Sequence, residues 1–180
     1  MNAFEQIIEK LLRQEGYWTR IGYKVNLTPA MKKVIGIPSM PRPEFDILAY
    51  KPSRNELLWV ECKSYLDSRG VIADAVTGID EERARGFNVF TNRKFRDITT
   101  RELLNQMLVE RLFLQRPNVN YCLVAGKIAS ETDRERLREY FTEKIWILYD
   151  DGWIKSKLAD LTNLGYEDDE SIIVAKLFQR

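Results

Sequence analysis

An α/β fold, an α-β-α sandwich with helices on both faces of a central mixed β-sheet, is what this sequence predicts, and three observations carry the prediction. Segments with helical period alternate with short apolar runs, the pattern of a sheet covered by helices. Two of those runs, 45–50 and 57–63, are separated only by Lys51-Pro52-Ser53-Arg54-Asn55. They must pair as an antiparallel hairpin, because the link is too short for a crossover. At 180 residues, 44% apolar and 31% charged, the chain fits one domain with its own core rather than a disordered polymer.

Taken in order, residues 2–15 read as an amphipathic helix. Phe4, Ile7, Ile8, Leu11 and Leu12 recur at helical spacing and Gly16 is a natural stop. Residues 17–25 supply β-type side chains for a first strand, weakened by Gly22. Pro29, Gly36, Pro38, Pro41 and Pro43 predict that 26–43 is largely loop. The hairpin follows. Between 64 and 97 the periodicity is poor, with a short helix suggested by Val71, Ile72, Ala75, Val76 and Ile79. Residues 85–96 interleave Phe87, Phe90 and Phe95 with bases, either to grip nucleic acid or to anchor a long connection on the core.

Thr99 and Glu102 form a capping-box signature for a helix reaching Gln115, with Leu103, Leu104, Met107, Leu108 and Leu112 on its apolar stripe. Residues 119–124 read as a buried strand ended by Gly126. Ser130 with Asp133 then caps a charged helix through Glu143. A short strand over 145–149, a turn at Asp150-Asp151-Gly152, and short helices over 156–164 and 169–178 complete the reading.

Several function classes are excluded. The chain contains no histidine, so Ser-His-Asp and Cys-His catalysis, His-ligated zinc and histidine-base nucleases are ruled out. Cys62 and Cys122 both lie in apolar runs and are expected to be buried reduced thiols. No apolar stretch approaches the roughly 18 residues of a membrane helix, and the N-terminus has no basic-then-apolar leader, so a cytoplasmic protein is expected. Net charge is only +1, but it is unevenly spread. Bases dominate 10–33 and 83–101, while Asp150, Asp151, Asp160 and the run Glu167-Asp168-Asp169-Glu170 compensate later. That asymmetry fits a basic face turned toward a polyanion.

The chemistry converges on Leu57-Leu58-Trp59-Val60-Glu61-Cys62-Lys63. Strand residues two apart share a face, so Glu61 and Lys63 stand together while Cys62 faces away. Closing the hairpin brings Asp46 beside Glu61, to within one residue of register. With an acid on the preceding helix, this constellation resembles the PD-(D/E)xK nuclease superfamily, which includes restriction endonucleases and archaeal Holliday-junction resolvases. The resemblance covers residues 1–125, in the order helix, strand, hairpin, helix, strand, and leaves 126–180 as an α/β extension of a single domain. The proline that often precedes the aspartate directly stands here at Pro43, in Pro43-Glu44-Phe45-Asp46.

The resemblance implies a restriction endonuclease-like core with Asp46, Glu61 and Lys63 as catalytic residues. Asp46, Glu61, the Cys62 backbone carbonyl and Glu5 would hold Mg²⁺ or Mn²⁺, with Glu9 as the alternative to Glu5. The implied activity is metal-dependent hydrolysis of DNA phosphodiesters, restriction- or repair-related. The alternatives are a catalytically silent member of the fold that binds nucleic acid or a partner protein, and an unrelated domain with an ordinary strand-end ion pair. Arg85, Arg93, Lys94, Arg96 and Gln106 are candidate nucleic-acid contacts, with Arg111 beside Gln106 as the other polar candidate on its helix. A homodimer fits, since cutting both strands takes two such sites.

Overall fold

The computed structural model describes residues 2–113, 115–163 and 170–178. Its centre is a five-stranded mixed sheet in the order β1-β2-β3-β4-β5. The strands are β1 (Trp18–Lys24), β2 (Glu44–Lys51), β3 (Glu56–Lys63), β4 (Asn118–Ala125) and β5 (Ile147–Tyr149). β1, β2 and β3 pair antiparallel, and β3, β4 and β5 pair parallel. The hairpin closes as its length requires, through a 3₁₀ turn over Pro52–Arg54 and a left-handed Asn55.

Each face of the sheet carries its own core. On one side Leu48, Leu57, Trp59 and Leu123 pack with Val76, Phe90, Leu103 and Phe141. These come from α3 (Ala73–Thr77), α5 (Asn88–Thr91), α6 (Arg93–Val109) and α7 (Glu131–Lys144). On the other side Ile47, Val60 and Val124 pack with Ile8, Leu11 and Leu12 of α1 (Ala3–Gln14), and with Ile154 and Leu161 of α8 (Asp151–Leu161). The α-β-α sandwich follows from this two-sided burial.

Some boundaries differ from the sequence reading, each for a local reason. Residues 26–43 contain a helix, α2 (Pro29–Ile35), capped by Thr28, begun by Pro29 and ended by Gly36 at φ 92°. Proline is tolerated at the first helical turn, so Pro29 starts an element rather than preventing one. α6 begins at Arg93, with Asn92 accepting from the Phe95 N–H. Thr99 is fully buried inside this helix and caps nothing, and the helix stops at Val109, short of Gln115. Asp150, expected in a turn, instead caps α8 through the Trp153 N–H. Arg134 ties Asp150 and Asp151 back to α7 at 2.8 Å each. Ser130 does cap α7. α4 (Glu81–Ala84) links α3 to α5, and α9 (Glu170–Phe178) ends the description. The acidic positions 167–169 lie outside the described residues.

Candidate active site

The site grows from the point where β2 and β3 part. Their ladder runs from Lys51↔Glu56 to Ile47↔Val60 and stops there. The same register carried one step further sets Asp46 opposite Glu61. Cys62, having no ladder partner on β2, donates its N–H to Asp46 Oδ2 at 2.7 Å. In an antiparallel pair a residue's N–H and C=O point to the same edge, so the Cys62 carbonyl also faces the gap where Asp46 stands.

A distortion in β1 aims Asp46. Gly22 lies between the pairs Ile21↔Ile47 and Tyr23↔Phe45, and so across from Asp46. Regular alternation would place 21 and 23 on one face, and 45 and 47 likewise. Instead Tyr23 and Phe45 join one core while Ile21 and Ile47 join the other. Gly22 absorbs the switch at φ 65°, a conformation open to glycine. Such strand irregularities re-aim side chains, and here the residue at the switch is Asp46.

Glu61 and Lys63 share the opposite face from Cys62, which sits in the α1-side core. Lys63 Nζ meets Glu61 Oε1 at 2.5 Å, both side chains only 19% exposed, and lies 5.5 Å from the Phe87 ring centre. Gly126 holds this strand end in place. Its N–H donates to the Lys63 carbonyl at 2.8 Å, and a Cβ there would meet the Ser64 carbonyl at 2.5 Å and the Phe4 ring at 3.1 Å. α1, β3 and β4 therefore meet at a point that admits only glycine.

The electrostatics mark a crowded pair of carboxylates. Burial and then the charge of Glu61 raise the Asp46 carboxyl to about 6, against the lowering effects of the Cys62 N–H and Lys63. Burial pulls Lys63 down, but the charge and hydrogen bond of Glu61, with Asp46, outweigh it and leave Lys63 raised. Burial pushes the Cys62 thiol up, which suits an inert core thiol.

Glu5 is the N3 residue of a capping box on α1: its carboxylate accepts from the Asn2 N–H at 3.2 Å and from Asn2 Nδ2 at 2.6 Å. Its charge still contributes to raising Asp46. Glu9 is drawn elsewhere, to Thr19 at 2.7 Å and Arg13 at 3.5 Å. Among the described residues, no group of three or more His, Cys, Asp or Glu is gathered as a metal centre. The donor set that fits a hard divalent cation is Asp46 and Glu61 with the Cys62 carbonyl. Oxygen ligands whose mutual repulsion a cation relieves, with water filling the remaining positions, match Mg²⁺ or Mn²⁺.

The other sequence candidates divide. Arg85 is exposed and lines a cleft of ≈1150 Å³ that reaches Glu61 and Trp59. Arg93 and Lys94 line a smaller hollow nearby. Arg96 is committed to the carbonyls of Val89 and Phe90 and to the face of Trp146 at 4.9 Å. Gln106 braces the exit of β1, accepting from the Asn26 N–H at 2.6 Å. Arg111 is an exposed left-handed residue just past α6. Phe87, Phe90 and Phe95 are buried, so the aromatics of 85–96 anchor that connection to the core. The residues that sequence reasoning missed are Lys24, Arg42 and Trp59 around the cleft. Lys24 had a signal in the basic excess of 10–33, while Arg42 and Trp59 had none, because the cleft forms only when 36–43 and 85–95 fold over the same strand end.

Among models of known families, the one described as HamA matches residues 36–151, well over half of the chain. The matched segment holds Asp46, Glu61, Lys63 and nearly all of the cleft, while α1 with Glu5 precedes it. No curated protein matches the chain, and no solved structure does.

Proposed function

The chain belongs to the HamA family, and from the site it carries we propose that it is a metal-dependent nuclease hydrolysing DNA phosphodiesters. The observation that carries this reading is Asp46 held to this strand end by the Cys62 N–H at 2.7 Å, one step beyond the last pair Ile47↔Val60, with Lys63 against Glu61 at 2.5 Å. Membership of the family is compatible with a nuclease-like fold, and no helix among the described residues is long and apolar enough to cross a membrane.

Hydrolysis adds a water oxygen to phosphorus, breaks one P–O ester bond and delivers a proton to the departing alkoxide. A divalent cation bound by Asp46, Glu61 and the Cys62 carbonyl, with Glu5 able to join, would supply Lewis acidity to that change. The chain's own residues do the rest. Cys62 N–H fixes the Asp46 carboxylate at 2.7 Å, and Glu61 fixes the Lys63 ammonium. Lys63 then presents positive charge where negative charge develops on the phosphoryl oxygens, and a preorganised donor in a half-buried site is worth far more than one in water.

The test is incubation of the full chain with supercoiled plasmid, single-stranded DNA and branched DNA in Mg²⁺ or EDTA, beside Lys63→Ala. Cleavage in Mg²⁺ alone is expected, falling about 10²–10³-fold in Lys63→Ala with DNA affinity little changed. Cation-dependent cleavage that survives the lysine change would overturn the role given to Lys63. Binding with no cleavage of any substrate would identify a silent, nucleic-acid-binding member of the fold.

A further inference from the structure

We propose that a second pocket, across Lys63 from the cleft, is a DNA backbone subsite in which Arg69 and the Tyr65 hydroxyl grip a phosphate neighbouring the one attacked. The proposal rests on the nuclease reading for the attack itself, but the pocket is defined without it. It has ≈440 Å³ of space, and Tyr65, Ser68, Arg69, Arg83 and Phe87 are among its lining. That is the scale of a site for one small unit rather than a chain. No residue lines both pocket and cleft, and the segment 83–88 is the wall between them. Arg85, Gly86 and Asn88 face the cleft, while Arg83 and Phe87 face the pocket. Lys63 stands at that wall, its Nζ against Glu61 of the cleft and 5.5 Å from the Phe87 ring centre.

Three observations point to a phosphate. The pocket lining holds two arginines and no carboxylate, whereas the cleft mixes its bases with Glu44 and Glu61. Arg83 is held by Asp80 at 2.6 Å, but Arg69 is exposed and has no hydrogen bond or ion pair among the described residues. Such a guanidinium presents its fork of donors to any phosphate that enters. The second observation is backbone strain. β3 ends at Lys63, and two residues later Tyr65 stands at φ 46°, an outlier for a bulky side chain. Strain of this kind persists where the surroundings over-determine it, and it collects at functional sites. Here Ser68 donates its N–H and its Oγ to the Tyr65 carbonyl at 3.2 and 3.1 Å, and Lys127 Nζ holds the Ser68 carbonyl at 2.6 Å. At Gly70 a Cβ would meet the Ile128 backbone at 2.9 Å, so the loop is fastened at both ends. The third observation is the Tyr65 hydroxyl, which makes no hydrogen bond among the described residues and so keeps its donor for a phosphate oxygen, a common role of tyrosine on DNA.

Binding in EDTA tests the pocket apart from cleavage. The probes are a fluorescein-labelled oligonucleotide, alone and annealed to its complement. Each is titrated with full-length wild type, Arg69→Ala, Arg69→Lys and Tyr65→Phe over a range of salt. Arg69→Ala should lower the slope of log K against log salt by about 0.7 on the single strand or about 0.9 on the duplex. The probe on which it does so identifies the form of DNA that the pocket takes. Arg69→Lys keeps the charge and should restore the slope. Tyr65→Phe should weaken binding about tenfold at every salt concentration with the slope unmoved, because a neutral donor to a phosphate releases no counterion. An unchanged slope for Arg69→Ala on both probes, wild-type binding by Tyr65→Phe, or no binding of either probe by wild type would overturn the proposal, even where wild type cleaves DNA in Mg²⁺. The expected changes in binding, with no cleavage in Mg²⁺, would uphold the subsite and defeat the nuclease reading.

Discussion

Asp46 is held where its own charge is least welcome. It is half-buried, faces Glu61, and has a carboxyl raised to about 6 from an ordinary 3.8. A carboxyl raised in the folded state binds its proton more tightly there than in the unfolded chain. That contribution to stability is fully present below about pH 4 and is lost as pH rises through about 6. At neutral pH the protein therefore carries a penalty at Asp46, the residue that the proposed chemistry needs, which is the usual tension between activity and stability. Asp46→Asn keeps an oxygen for the Cys62 N–H and removes the charge. In metal-free buffer it should be more stable than wild type by about 1–3 kcal/mol at pH 7–8, with the difference gone below about pH 4. Urea denaturation of both proteins at the two pH values measures this. A wild type that is the more stable at pH 7–8 would show that Asp46 is not strained by its neighbours.

The strands show why so much of the site was legible and where legibility stopped. A loop of five residues and a period of two are local facts, and they set Glu61 and Lys63 together with Cys62 turned away and bring Asp46 near to within one residue of register, which the ladder then fixes. Gly22 is different. In sequence it only weakens a strand, and its purpose emerges once the register sets it across from Asp46, where both strands change face. Competing local signals account for the misplaced ends. Thr99 and Glu102 imitate a cap, yet Phe95 and Thr99 are buried one turn apart, and Asn92 ahead of them is the true start. The proline count of 26–43 hid the Thr28-Pro29 opening and Gly36 close of α2. Gly22→Ala tests the switch. A side chain at φ 65° costs about 1–2 kcal/mol, a modest loss of stability that thermal unfolding will record. Cleavage should fall far more, at least about tenfold, because a small misplacement of a catalytic group is expensive. Loss of activity merely in proportion to loss of folded protein would deny Gly22 any part in aiming Asp46.

Across the whole molecule, the site lies where the sandwich is least self-sufficient. β2 and β3 part there, α1 reaches it through Phe4 and Glu5, and Gly126 pins β4 to the end of β3. At the start of α8 the acids are compensated: Asp150 meets both Arg134 and Arg138, and Asp151 meets Arg134 and Lys155. At the site two carboxylates share one ammonium, an imbalance that a cation removes. Anything that binds the folded chain and not the unfolded one stabilises it, by about 2.7 kcal/mol at a hundred times its Kd. For a chain of this size each kcal/mol moves Tm by about 2–4 °C. Saturating Mg²⁺ or Mn²⁺ should therefore raise Tm by roughly 5–10 °C, and the shift should vanish in Asp46→Asn. The dependence on Asp46 matters because divalent cations also screen surface charge, an effect that the variant shares with wild type. Equal shifts in the two proteins, or none in either, would remove the cation from this strand end. The Lys63–Glu61 pair would then belong to a catalytically silent member of the fold or be an ordinary strand-end ion pair.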